Sequence, residues 1–278
     1  QLGSIDSING LLTIDGGFGS DTVNVDDSVA AALNNKFGTL TDVTLRGLDL
    51  ERGIDYTTVE DLNIWLGFGD NVFDINSTHA GTTTVNTAEG NDTVNINNAS
   101  GTLTVNTEQG TDTVNVRATT VNSTTYINTQ EDSDTINVTD DAPDLPVLPA
   151  TPNVGNIDNV SGFVVIDGGL ADDQINIDDS RNAANKAGTL TETTLRGLEL
   201  EAGIDYHNAE DFNLWLGTGT DSLYVESTHT GTTQLYGGNG TQATNQRDDT
   251  FAIRSISGVT TVYGQAGNDA IFVNVVPG

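Results

Sequence analysis

Aspartate recurs in this sequence at a fixed place, directly after a tight turn and two residues before a large apolar residue. In the stretch GGFGSDTVN, which spans Gly16–Asn24, three glycines precede Asp21 and Val23 follows it. Glycine permits the positive φ angles of a tight turn. An aspartate directly after such a turn offers carboxylate oxygens, which are hard ligands. The question is therefore what the recurring aspartates bind, a cation or the backbone of their own turn.

The same turn recurs down the chain with varying completeness. Its acidic position falls on Asp21, Asp92, Asp112, Asp134, Asp173, Asp221, Asp249 and Asp269, and Asn71 takes an equivalent slot. Its glycines are most complete at Gly16, Gly17 and Gly19, whereas Asp132 and Ala171 replace the last of these in two turns. An apolar residue always follows two positions after the acid or amide, which favours bound ions. A metal-free alternative stays open, because Asn, Thr and Asp side chains also close turns by bonding to the backbone.

Few other side chains have catalytic potential. Lys36 and Lys186 are the only lysines, and neither lies in a constellation with a recurring turn. His79 and His229 occupy equivalent STH positions, which predicts a repeated structural role. No nucleophile, base and acid stand together in the local sequence, as general acid–base catalysis requires. We therefore expect a protein that is not an enzyme.

Short strands must position these turns, because the turns belong to a repeat of about 20 residues. Gly81–Ser100 is followed directly by Gly101–Thr120, and a looser copy covers Thr124–Asp141. Each copy holds two runs in which apolar and polar residues alternate, as in TLTVNT and DTVNV, and this alternation is typical of half-buried strands. A single copy cannot bury a core, but stacked copies can. The sequence predicts an all-β, right-handed parallel β-solenoid.

A second, larger repeat divides the chain into two tandem related halves. Gly38–Gly67 matches Gly188–Gly217 at 21 of 30 positions. Four of the five prolines lie between the halves. This composition predicts a first half over 1–141, a linker over 142–153 and a second half over 154–278. In both halves a segment without the aspartate turn interrupts the pattern, and we interpret VTLRGLDL and TTLRGLEL within it as strands.

The charge and composition limit the partners. The chain has 9 basic and 40 acidic residues, a formal net charge of −31 and no cysteine. Nucleic acid and anionic membrane surfaces are poor partners for such a chain, since phosphate binding needs clustered Lys and Arg. Disulfides and thiolate metal sites are excluded. No apolar run of membrane-spanning length occurs, so membrane insertion is not expected.

The nonapeptide pattern G-G-x-G-x-D-x-U-x, with U a large apolar residue, resembles the RTX or haemolysin-type calcium-binding repeat. The resemblance implies that turn carbonyls and aspartates bind Ca²⁺ while residue U fills the core. This sequence departs from it, because a coil has about 20 residues and the opposite edge of the central coils has the sequence NNASG. We therefore expect at most one edge to carry a calcium column.

These features predict a calcium-stabilised structural module, such as a stalk or an adhesin-like region, of a large bacterial protein that is secreted or lies at the cell surface. Its partners would be calcium ions, other domains of the same protein or a cell-surface glycan. The N-terminus lacks the basic and apolar regions of a signal peptide and starts mid-pattern, as a segment of a longer protein would. One alternative is ice or surface binding through the outward residues Thr82, Thr84, Thr102, Thr104 and Asn106. A carbohydrate-active β-helix is a further alternative.

Overall fold

The computed structural model describes residues 3–28, 35–142, 155–238 and 248–274. In these ranges the chain forms 24 strands, and no helix is present there. The strands build two long, mostly parallel sheets of 12 strands each. The predicted all-β parallel solenoid is therefore confirmed. No helix in the described ranges is long and apolar enough to cross a membrane.

The strands are four to eight residues long and are numbered in chain order. Those of the first half are β1 (Leu12–Asp15), β2 (Thr22–Asp26), β3 (Phe37–Leu40), β4 (Thr44–Gly47), β5 (Leu50–Thr57), β6 (Asp61–Trp65), β7 (Val72–Ile75), β8 (Thr82–Asn86), β9 (Thr93–Ile96), β10 (Thr102–Asn106), β11 (Thr113–Val116), β12 (Thr124–Asn128) and β13 (Thr135–Val138). Those of the second half are β14 (Phe163–Asp167), β15 (Gln174–Asp178), β16 (Ala187–Leu190), β17 (Thr194–Gly197), β18 (Leu200–His207), β19 (Asp211–Trp215), β20 (Ser222–Val225), β21 (Thr232–Tyr236), β22 (Thr250–Ile253), β23 (Val259–Tyr263) and β24 (Ala270–Val273).

Each regular coil gives one strand to each sheet. Sheet 1 has the order β1-β5-β4-β3-β7-β9-β11-β13-β15-β19-β21-β23, and sheet 2 has the order β2-β6-β8-β10-β12-β14-β18-β17-β16-β20-β22-β24. Alternation directs Leu103 and Val105 of β10 into the space between the sheets, where both are fully buried. A single hydrophobic cluster built in this way runs from Ile5 to Phe251.

An antiparallel hairpin interrupts the parallel order once in each half. In the first half β3, β4 and β5 pair antiparallel, and β3 then pairs in parallel with β7. The stretch VTLRGLDL is therefore not one strand, because Gly47, Leu48 and Asp49 all adopt positive φ angles and form a tight turn between β4 and β5. The same turn divides TTLRGLEL in the second half into β17 and β18. Each hairpin adds two strands to only one of the two sheets.

The two halves join without a break in strand pairing. Strand β12 pairs in parallel with β14, and β13 pairs in parallel with β15. Of the predicted linker 142–153, only Ala142 belongs to the described residues. Because 13 strands precede β14 in the described residues, each strand of the second half lies in the opposite sheet from its first-half counterpart. The hairpin accordingly widens sheet 1 in the first half and sheet 2 in the second.

Candidate functional site

The predicted acidic turns form two columns, one on each edge of the solenoid. The turns that lead from sheet 2 into sheet 1 lie on the first edge, and those that lead from sheet 1 into sheet 2 lie on the second edge. The first edge carries Asn71, Asp92, Asp112, Asp134 and Asp173, and the second edge carries Asp21, Asp221, Asp249 and Asp269. The acidic turns are therefore not confined to one edge of the solenoid, and the expectation that at most one edge carries calcium stays a prediction. The odd number of strands in the first half transfers the turns to the other edge.

Backbone hydrogen bonds join the carboxylates of the first edge from coil to coil. Oδ1 of Asp112 accepts the Asp92 N–H at 2.7 Å, and Oδ1 of Asp134 accepts the Asp112 N–H at 2.7 Å. Oδ1 of Asp173 accepts the Asp134 N–H at 2.9 Å, and Oε2 of Glu210 ends the series by accepting the Asp173 N–H at 2.9 Å. Each acidic side chain thus satisfies a buried backbone donor of the preceding coil.

The second edge repeats this arrangement over fewer coils. Oδ1 of Asp249 accepts the Asp221 N–H at 2.8 Å, and Oδ1 of Asp269 accepts the Asp249 N–H at 2.9 Å. Near the start of the chain the Asp21 N–H donates to Oε2 of Glu60 at 2.9 Å. The predicted residues are therefore brought together in columns, and Asp21 stands apart from the second-half group.

The second carboxylate oxygen of these aspartates, Oδ2, has an unusual environment. Oδ2 of Asp21, Asp92, Asp112, Asp134 and Asp173 is buried and has no hydrogen-bond partner among the described residues. Asn71 occupies the same slot with an amide, whose Nδ2 donates to the carbonyl oxygens of Gly67 at 2.8 Å and Thr87 at 3.4 Å. A carboxylate in this slot lacks that donor. It requires a proton or a cation, since a buried charge without a partner is strongly unfavourable.

Burial shifts the acidity of these groups in the direction that this geometry implies. Desolvation raises the pKa of Asp92 and of Asp134 to about 7, with a smaller raising effect of the neighbouring charge of Asp112 in each case. Desolvation also raises the pKa values of Asp112, Asp173 and Asp249 to about 6. These five aspartates therefore take up protons closer to neutral pH than ordinary carboxyl groups do, unless a cation takes the place of the protons.

The turn glycines have the conformations that the repeat pattern predicts. Gly17 has φ +87° and Gly19 has φ +129°, whereas Gly16 is required by space, because a Cβ there would lie 2.1 Å from the Thr58 carbonyl oxygen. Where Asp132 and Ala171 replace the Gly19 equivalent, they keep positive φ angles of 70° and 91°. The backbone turn is therefore built in the same way with and without the glycine.

The oxygen atoms of the column are of the type that a hard cation prefers, but few carboxylates lie close to any one position. Carboxylate oxygens, turn carbonyls and threonine hydroxyls line the column, and Ca²⁺ prefers such oxygen ligands. Among the described residues, however, no group of three or more His, Cys, Asp or Glu side chains is placed to hold a metal ion. An ion in the column would depend on one carboxylate from each coil and on turn carbonyls for its remaining ligands.

Sequence analysis missed the places where three carboxylates do converge, which are the surroundings of the two lysines. Nζ of Lys186 lies 2.9 Å from Oδ2 of Asp179 and 3.7 Å from Oε2 of Glu199, and it also contacts Oδ1 of Asp158. Lys186 begins the hairpin coil, and its backbone N–H donates to Oδ1 of Asp221 at 2.7 Å. Lysine thus stands in the aspartate slot of this coil. The signal in the sequence is that both lysines follow a DDS motif at similar spacing.

The first half has the same cluster around Lys36. Nζ of Lys36 lies 2.5 Å from Oδ2 of Asp27, 2.9 Å from Oδ1 of Asp6 and 3.4 Å from Oδ2 of Asp49. The Lys36 N–H donates to Oδ1 of Asn71 at 3.1 Å. In both halves, an ammonium group of the chain itself pairs with the acidic cluster and offsets part of its charge.

The two STH histidines hold the turn that passes beside the hairpin. Nε2 of His79 lies 3.1 Å from the Glu60 carbonyl oxygen, and its Nδ1 lies 3.3 Å from Oγ1 of Thr83. The ring also meets Tyr56 edge to face at 6.2 Å. His229 makes the equivalent contacts with Glu210, Thr233 and Tyr206. These contacts place both rings in structural packing.

The outward threonines form a short array on sheet 2. Thr82 aligns with Thr102 and Thr84 aligns with Thr104 in parallel register. The next strand continues the array with Thr124 but places Tyr126 opposite Thr104. The regular array of threonine pairs therefore covers two coils.

Comparison with known proteins gives no further guide to the site. No described protein family, no characterised protein and no solved structure matches this chain.

Proposed function

We propose that this chain is a calcium-stabilised rod segment of a large bacterial protein that is secreted or lies at the cell surface, with divergent RTX-like turns and a stalk or adhesin-like role. The observation that carries the proposal is the column of buried Oδ2 atoms without hydrogen-bond partners on the first edge. Ca²⁺ in the column would neutralise these carboxylates and tie adjacent coils to each other.

The solenoid supports a mechanical role. Its halves share continuous sheets and one core, because β12 pairs with β14 and β13 pairs with β15. Apolar side chains are exposed on the terminal strands, including Leu12 at 39 %, Val259 at 69 % and Val273 at 74 %. Further coils or other domains of the same protein are the partners that suit these ends, because a stacked coil buries the exposed apolar side chains of the coil beside it.

The strong acidity supports an ion-rich setting outside the cell. A net charge of −31 disfavours a compact rod through self-repulsion, and bound cations would offset it. Extracellular calcium modules bind with dissociation constants of about 10⁻⁴–10⁻³ M, so weak sites suffice there. A site that exists only in the folded chain also couples calcium binding to folding.

Protonated aspartates are the competing account of the same column, and calorimetric titration separates the two. We expect the unaltered chain to bind Ca²⁺ with several sites at pH 7.5. The double variant Asp112→Asn/Asp134→Asn should lose sites or affinity, because the amide carries no negative charge for the ion and its nitrogen donates to a turn carbonyl, as that of Asn71 does.

The charge-matched control is Glu51→Gln/Glu201→Gln, which alters two exposed side chains of the hairpins. It should keep the full number of sites. Equal calcium binding by the two double variants would show that the column is not the site.

A further inference from the structure

The cluster around Lys186 assembles the parts of an amide-forming reaction. The side chains of Lys186 and Asp179 are only 1 % and 2 % exposed, and the amine nitrogen lies 2.9 Å from Oδ2 of the acid. Oδ1 of Asp179 accepts the Ile157 N–H at 3.3 Å. Oδ1 of Asp158 contacts the same ammonium and can take its proton. A nucleophile, an electrophile and an oxyanion donor thus meet in one buried place, and a proton acceptor lies at its more open side.

The first half holds the same parts in the same roles. Nζ of Lys36 lies 2.5 Å from Oδ2 of Asp27 and 2.9 Å from Oδ1 of Asp6. Oδ1 of Asp27 accepts the Ile5 N–H at 3.3 Å. In both copies one acid is buried and the other is more open, with exposures of 1 % for Asp27 and 59 % for Asp6. A solvated ion pair would not need one buried acid and one exposed acid beside the same lysine.

We propose that Lys186 and Asp179, and likewise Lys36 and Asp27, become joined by intramolecular amide bonds. The ammonium of Lys186 passes a proton to Asp158, and its nitrogen then attacks Cγ of Asp179. The new N–C bond forms while the bond from Cγ to Oδ2 breaks, and Oδ2 leaves as water with the protons released. The reaction consumes one ammonium and one carboxylate, yields one amide and one water, and needs no oxidant or other reactant.

The surroundings favour the bond over the ion pair. Intramolecular placement supplies effective molarities of about 10⁵–10⁸ M, which outweighs the ordinary preference for free acid and amine in water. Desolvation raises the pKa of Asp179 to about 6, so the more reactive neutral carboxyl is accessible near neutral pH. Burial alone would lower the pKa of Lys186, but Asp158 and Asp179 raise it, so loss of the ammonium proton should limit the rate.

The consequence would be a covalent clamp at the start of the inserted hairpin in each half. Lys186 directly precedes β16 and Lys36 directly precedes β3, the strands that open the inserted hairpins. There the parallel order of the solenoid is interrupted. An amide would fix the incoming segment to the buried acid, which suits a rod that bears load.

The test is the intact mass of the purified, folded full chain after prolonged incubation at pH 7.5. Each amide lowers the mass by about 18 Da, the mass of one water, so two bonds lower it by about 36 Da. Lys36→Met and Lys186→Met should each retain one loss, and the double variant none. A mass equal to that of the unmodified sequence, or a loss that persists in the double variant, would overturn the proposal.

Digestion distinguishes the amide from a succinimide, which also forms with loss of water. Trypsin cleaves after Arg181, between Asp179 and Lys186, so only a cross-link leaves a branched peptide that spans both residues. Mild base opens a succinimide and leaves the amide intact.

Asp158→Asn tests the proton acceptor. This variant retains the pair of Lys186 and Asp179 and should form the second-half bond more slowly, while its circular dichroism spectrum stays that of the unaltered chain. An unchanged rate would remove Asp158 from the mechanism. None of these outcomes depends on calcium, which tests the proposed function separately.

Discussion

The acidic columns and the lysine clusters are two solutions to the same electrostatic problem. Around Lys186 three carboxylates converge on an ammonium group that the chain supplies. In the column of the first edge, one carboxylate per coil is buried, and the Oδ2 atoms have no partner among the described residues. The comparison teaches that, in the described parts of the chain, three carboxylates come together around an ammonium group that the fold itself provides. In the columns the carboxylates are spread over successive coils, and each can bind a proton or a cation.

The largest effect should come from pH in the metal-free protein. The pKa values of Asp92, Asp112, Asp134, Asp173 and Asp249 are about 6 to 7 in the fold and about 4 in the unfolded chain. Because the folded values are raised, the neutral column contributes its full stability below about pH 4 and loses it as the pH rises through 6 to 7. In EDTA we therefore expect the melting temperature to fall between pH 5 and pH 8.

The matched control for this scan is a triple variant with Asn at positions 92, 112 and 134, whose amides do not titrate. Its melting temperature should depend less on pH. A melting temperature of the unaltered chain that stays level or rises over this range would contradict the neutral column.

The next largest effect should come from Lys186→Met. It leaves Asp179 buried without a cation, and breaking a buried pair in this way costs about 3–5 kcal/mol of unfolding free energy. The equivalent change at Lys36 should cost somewhat less, because the side chain of Lys36 is 9 % exposed and that of Lys186 only 1 %. The control is Arg254→Met, whose ion pair with Glu226 is exposed, and it should cost less than about 1 kcal/mol. Equal urea denaturation midpoints for Lys186→Met and the control would refute the distinction.

A substitution at a turn glycine tests the acidic columns separately from the lysine clusters, because only the columns depend on the stacked turns. Gly110 has φ +130°, and a Cβ there would lie 1.9 Å from the Gly90 carbonyl oxygen. We expect Gly110→Ala to cost at least about 1–3 kcal/mol of unfolding free energy. Gly10→Ala is the control, since a Cβ at Gly10 would have no atom within 4 Å. Chemical denaturation measures both, and a harmless Gly110→Ala would mean that the turns are not tightly stacked.

The smallest effect should come from Asp112→Asn in the absence of calcium. The amide of Asn71 shows that the slot accepts a donor to turn carbonyls. At pH 8 in EDTA the substitution should therefore change the unfolding free energy by less than about 1 kcal/mol, or stabilise the chain. A loss of several kcal/mol would mean that the carboxylate itself, without an ion or a proton, holds the turn.

The sequence was sufficient to predict the fold class and the turns, because both depend on local patterns. Alternation in TLTVNT identifies strands, and the glycines of Gly16–Asn24 identify a turn with positive φ angles. The hairpin turn at Gly47–Asp49 was missed, because alternation continues through VTLRGLDL as it would in one strand. The switch of edges was missed because it depends on whether the number of strands before β14 is odd or even.

The lysine clusters were beyond local reasoning for a different reason. Their acids come from different coils, so Asp158 and Lys186 are 28 residues apart in sequence but in contact in space. Only the stacking register brings them together. The recurrence of one lysine after each DDS motif was a visible signal whose chemistry depended on the fold.

The most direct test of the calcium-stabilised rod is a thermal melt of the unaltered chain, followed by circular dichroism at pH 7.5. The melt is recorded in EDTA, in millimolar Ca²⁺ and in millimolar Mg²⁺ at matched ionic strength. We predict a clear rise in melting temperature with Ca²⁺ and little change with Mg²⁺, because ion binding to the folded chain alone stabilises it. Identical melts in all three buffers would contradict the account and leave a solenoid whose columns are neutralised by protons.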